Sequence, residues 1–121
     1  MESISMTVKK ESIKSFQSTI SKFEKAFAQM TEKGVNTTLL QKRLQAHLVG
    51  LAVLENAWYQ KPHPHSDGEL AEALLVLTGL FPSLENAYRK SKAGSPQRTL
   101  LARRIRALEL AVHVIEKSSA E

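Results

Sequence analysis

Apolar residues recur along this chain in steps of three and four, the spacing that keeps side chains on one face of an α-helix. Ile13, Phe16, Ile20, Phe23, Phe27 and Met30 form one such stripe. Leu40, Leu44, Leu51, Leu54 and Trp58 form a second, with His47 and Leu48 at its middle. Leu70, Leu74, Leu77, Phe81, Leu84 and Tyr88 form a third, and Leu101, Ile105, Leu108, Val112 and Ile115 a fourth. No stretch carries the β-branched alternation that a half-buried strand requires. Four stripes that can be hidden only against each other predict an all-α fold, a single four-helix bundle domain over 1–121.

The breaks between stripes have the chemistry of helix ends. Gly34 suits a left-handed stop after helix 1, and Asn36 or Thr37 can cap helix 2. Lys61-Pro-His-Pro-His65 excludes regular helix, because each proline lacks an N–H and restricts its predecessor. Ser66 stands three residues before Glu69, a capping box for helix 3. Gly94 ends helix 3, Ser95 caps helix 4, and Pro96 occupies the first helical position, where its missing N–H costs nothing. The expected helices are near 8–33, 37–61, 66–93 and 96–118. Their matched lengths and short loops predict antiparallel up-down-up-down packing.

Helix 3 departs from that regularity twice. Pro82 falls inside it, with its ring opposed to the carbonyl of Thr78, so a kink is expected there. The run Leu74-Leu-Val-Leu77 also covers most of the circumference, more than one buried face accounts for. A second covered side predicts a homodimer, with Leu75, Val76 and Leu80 at its interface.

Composition narrows the function classes. With no cysteine among 121 residues, disulfides, thiolate metal sites and cysteine nucleophiles are all excluded. No apolar run approaches the ~20 residues that span a bilayer, and the first residues lack the order of a secretory signal. A cytoplasmic protein without a membrane segment is the expectation. Nothing in the sequence calls for a cofactor, and no Gly-rich phosphate loop or Glu-x-x-His di-iron pattern occurs.

The net charge of +5 is unevenly placed. Residues 89–117 hold eight basic side chains against two acidic ones, whereas residues 1–88 balance to zero. In the expected topology the first and third connections share one end, which collects Lys42, Arg43, Arg89, Lys92, Arg98 and Arg103. That basic pole suits an acidic protein surface or another polyanion, nucleic acid included. No aromatic residue alternates with these arginines, so stacking on single-stranded bases is not suggested.

Three local patterns carry candidate chemistry. His63-Pro-His65-Ser-Asp67 is similar to the metal-binding start of the amidohydrolases, and His63, His65 and Asp67 are the metal-ligand types it would supply. Those enzymes place the motif at the end of a barrel strand, which this chain has neither the length nor the strands to build. Ala46-His47-Leu48-Val49-Gly50 resembles the phosphorylated segment of histidine-phosphotransfer domains. There, Val49 stands in place of a lysine and the glycine comes one residue early. Arg106 and His113 are spaced loosely like the Arg/His pair of helical HEPN ribonucleases, although Ala107 replaces the usual polar neighbour. With no complete catalytic signature, the chain reads as a non-enzymatic, adaptor-like interaction protein. Nucleic-acid binding by the basic pole and phosphotransfer at His47 are the alternatives.

Overall fold

The protein is described by a computed structural model covering residues 3–119. Helix α1 spans Met6–Glu32, α2 Thr38–Tyr59, α3 Asp67–Thr78, α4 Phe81–Lys90 and α5 Pro96–Ser119, with no strand among the described residues. The fold is all-helical, and one core cluster draws on all five segments.

Local chemistry sets the helix ends. Ser5 caps α1, its Oγ accepting from the Val8 amide at 3.1 Å. Before α2, Asn36 supplies the capping oxygen to the Thr38 amide at 2.9 Å, while Thr37 accepts from the Gln41 side chain. The capping box of α3 is complete: Ser66 Oγ accepts from the Glu69 amide, and Glu69 Oε1 accepts from the Ser66 amide. Ser95 Oγ takes the Arg98 amide at the start of α5.

The third expected helix is divided. Thr78 ends α3 and Phe81 begins α4, so the kink expected near Pro82 is replaced by a short break across Gly79 and Leu80. Pro82 cannot donate to the Thr78 carbonyl, and its ring crowds that oxygen. The Leu80 amide instead makes a tighter bond to Leu77, three residues back, and Pro82 then sits harmlessly in the first turn of α4. Helix α4 packs chiefly on α5.

Helix direction departs from simple alternation. Helices α1 and α2 oppose each other, since Phe23 meets His47 while the earlier Phe16 lies against Gly50. Helices α2 and α3 advance together: Gln45 bonds to Glu69, and Gly50 lies against Leu77. The up-down-up-down expectation therefore does not describe this pair. The reason lies in residues 60–66. Gln60 takes a left-handed conformation with φ of 56°, and the Asn56 side chain donates to the Lys61 carbonyl, so the chain turns back beside its own helix. From Tyr59 to the level of Gln45 is about 21 Å of helix at 1.5 Å per residue. The extended, proline-restricted segment covers a similar length at ~3.1 Å per residue. It delivers Asp67 beside the first half of α2 rather than its end.

Helices α2 and α5 make most of the packing: α2 lies against α1, α3 and α5, and α5 against all four other helices. Helix α2 buries Ala46, His47, Val49, Gly50, Val53 and Leu54. Gly50 is where the layers come closest. A Cβ there would stand 2.7 Å from the Phe16 ring and 3.4 Å from Leu77 Cδ1. Alanine at this position gains roughly 1 kcal/mol of helix propensity over glycine. Overpacking a closed core costs typically 1–3 kcal/mol. Because Phe16 is itself fully buried, the clash wins. Gly50→Ala is expected to lower the urea midpoint without changing its slope, and a raised midpoint would contradict the close approach.

Candidate functional site

The expected basic pole is divided between two kinds of role. Arg98 lies 4.2 Å from the centroid of the Tyr88 ring and donates to the Ser91 carbonyl at 3.0 Å, tying the α4–α5 turn to its flanking helices. Arg103 pairs with Glu11 at 3.0 Å and so links α5 to α1. Both are therefore engaged within the chain. Lys42, Arg43, Arg89 and Lys92 are exposed and, among the described residues, have no acidic side chain within ion-pair distance. Lys42 borders an open groove of about 590 Å³ between the first halves of α2 and α3, beside Gln45, Glu69 and Glu72. Arg89 borders a smaller, more open hollow with Glu85, Tyr88, Ala102 and Ile105 between α4 and α5.

The expected interface residues differ in availability. Leu75 is 72% exposed, the most exposed large apolar side chain described. Val76 and Leu80 are half-buried against the core, so the free apolar surface is narrower than the sequence pattern suggests.

The histidines of the return segment serve structure. The His65 amide donates to His63 Nδ1, and their rings stack with centroids 5.7 Å apart. His65 Nδ1 donates to Glu69 Oε2 at 3.1 Å. That bond, with those from Ser66, holds the Glu69 carboxyl below the usual carboxylate range. Among the described residues no group of three or more His, Asp or Glu side chains is placed to hold a metal ion, and His63, His65 and Asp67 do not converge on one.

His47 is the least ordinary residue of the core. It is 1% exposed, with the edges of Phe16 and Phe23 against its ring at centroid distances of 5.8 and 5.0 Å. Its Nδ1 lies 2.7 Å from the carbonyl of Arg43. A carbonyl only accepts, so Nδ1 carries the proton and Nε2 is left as an acceptor. Among the described residues that Nε2 has no hydrogen-bond partner. Burial pushes the imidazole down to about 4 from its ordinary 6.5, with the charges of Arg104 and Arg43 adding to the effect against the bond to the Arg43 carbonyl. An imidazole so enclosed offers no face to a phosphodonor, which disfavours the phosphotransfer reading.

Arg104 was not singled out by sequence spacing, and the structure makes it conspicuous. It is half-buried, its Nε has no hydrogen-bond partner among the described residues, and burial with the charge of Arg43 lowers its pKa. The clue available in the sequence was its place on the α5 stripe, one residue before Ile105. Arg106 and His113 are exposed on α5 and have no interaction with each other. No helix among the described residues is long and apolar enough to cross a membrane. Comparison with protein-family models, with curated proteins and with solved structures finds no match to this chain.

His47 generates a pH dependence with a definite sign. Its folded pKa lies below the unfolded value, so the unfolded chain binds the proton more readily. Its contribution is complete above about pH 6.5 and is lost as the pH falls toward about 4. The expected loss is roughly 3 kcal/mol. Urea unfolding at a series of pH values should show this decline in the wild type and a shallower one in His47→Leu. Parallel profiles would contradict the burial of a neutral imidazole.

Proposed function

We propose that this protein is a small, non-enzymatic interaction or regulatory module that self-associates through α3 and engages an acidic protein surface. The observation that supports it best is the exposed cations, Lys42 and Arg43 on α2 and Arg89 and Lys92 at the end of α4, none of which has an acidic side chain within ion-pair distance among the described residues, in a chain of net charge +5. Cations of this kind act by steering and by complementarity to an opposite potential, and such contacts weaken with salt. Arg98 contributes by holding the α4–α5 turn that carries Lys92, and Arg103 by tying α5 to α1. Leu75 is the anchor of self-association, with Val76 and Leu80 shaping its surroundings. Phosphotransfer receives no support from the enclosed His47.

Two measurements test this reading. Sedimentation equilibrium should give a wild-type dimer and a folded Leu75→Glu monomer, since a side chain this exposed tolerates a charge. A wild-type monomer at all concentrations would remove self-association. Fluorescence anisotropy with a labelled poly-glutamate peptide should show binding that falls with salt and is reduced at least ~10-fold in Arg89→Glu/Lys92→Glu. Tighter, salt-dependent retention of duplex DNA by the same residues would put the nucleic-acid reading in its place.

A further inference from the structure

The groove between the first halves of α2 and α3 lies over small residues. Ala46 and Ala73 line it and are each 2% exposed, so a recess of about 590 Å³ stays open where larger side chains would have filled it. Gln45 of the α2 wall and Glu69 of the α3 wall meet across it at 3.5 Å. The Glu69 carboxylate is already bonded to His65 and Ser66. Two other charged side chains border the groove, Lys42 on α2 and Glu72 on α3. Both are exposed, and neither has an ion-pair partner among the described residues.

Their positions explain why they do not pair with each other. Helices α2 and α3 run parallel, so Lys42 stands one turn before the Gln45–Glu69 contact and Glu72 one turn after it. That separates them by about 9 Å along the groove at 1.5 Å per residue, in addition to its width. The groove thus has its free cation at one end of one wall and its free carboxylate at the opposite end of the other.

Helix α3 adds an apolar face beside that carboxylate. Ala71, Glu72, Leu75 and Thr78 are exposed, and Glu72 is the one charged residue between Leu70 and Leu80. The Thr78 hydroxyl donates to the Leu74 carbonyl at 2.8 Å, which satisfies it within its own helix. A helix face turned to water ordinarily carries several charges. One with a single charge next to an exposed leucine is suited to being covered by another surface.

We propose that a second copy of the chain seats on this groove about a twofold axis, with Lys42 of each copy paired to Glu72 of the other. The proposal rests on the self-association reading and names the surface against which Leu75 is covered. Twofold symmetry makes every contact occur twice, so a surface with one free cation and one free carboxylate is complementary to itself. The diagonal placement of the two charges sets the pose: α2 of each copy lies across α3 of the other, and Leu75, one turn beyond Glu72, enters the same contact. Lys42 is then engaged in the dimer, leaving Arg43, Arg89 and Lys92 for the acidic surface.

Sedimentation equilibrium of the full chain at low salt tests the pairing with Lys42→Glu, Glu72→Lys and an equimolar mixture of the two. Each variant alone sets like charges against each other twice, and its dimer dissociation constant should rise at least ~10-fold over wild type. In the mixture one pair is native and the other reversed, so both attract, and the constant should return to within ~3-fold of wild type. Both positions are exposed, and recovery on mixing shows that neither variant has lost its fold. Variants that weaken the dimer without recovery on mixing would mean that the charges act within one chain, which overturns the proposal. A dimer indifferent to both variants but lost in Leu75→Glu overturns it as well, and leaves self-association standing. A wild-type monomer at every concentration removes both.

Discussion

Gly50 is the point on which the arrangement of helices depends. With hydrogen where every other residue has a side chain, the Phe16 ring of α1 and the Leu77 methyl of α3 close on α2 from two sides. That closeness gives α2 a buried face shared by α1 and α3, while Lys42, Arg43 and Gln45 stay exposed. Its neighbours on the same helix follow from it: Ala46, Val49, Val53 and Leu54 are buried. His47, one turn before Gly50, is carried under Phe16 and Phe23. A polar ring at such a place needs a fixed partner, and the Arg43 carbonyl one turn earlier supplies it at the cost of leaving Nε2 without one.

The second constraint is covalent. Two prolines in 60–66 keep the chain extended where a bundle of alternating helices would have had a tight turn. Gln60 reverses it, and the segment runs back until the Ser66–Glu69 box can start α3 beside Gln45. Parallel packing of α2 and α3 follows, and with it the groove between their first halves. The histidines that looked like metal ligands lie on this return path, where stacking and the His65–Glu69 bond hold it in place.

Helix existence and helix ends were legible because both are local. Stripe spacing, the capping box, Ser95 and the left-handed Gly34 all act within a few residues, and the structure has them. Gly94 is left-handed too, but it shapes the turn before α5, and α4 has already ended at Lys90 with Ser91 as its cap. Direction was not legible, because a seven-residue link reads as a short loop whether it turns tightly or runs back along its helix. Helix 3 looked over-apolar for the same reason: Leu70, Ala73 and Leu77 are covered by packing against α2 and α5, with Leu75 left outside. Charge composition identified the cations but not their neighbours. Arg98 and Arg103 proved to be ties between helices, while Arg104 gained interest only once α5 was placed against α2.

The charged surface and the buried His47 thus both depend on how α1, α2, α3 and α5 close on one another. A NOESY spectrum of the folded protein reads that closure directly. The account predicts cross-peaks from the Gly50 α protons to both the Phe16 ring and the Leu77 methyl groups, with Gln45 facing Glu69 farther along. Cross-peaks joining Gln45 to Leu77, with Gly50 near the start of α3, would mean that the two helices oppose each other and would contradict their parallel packing.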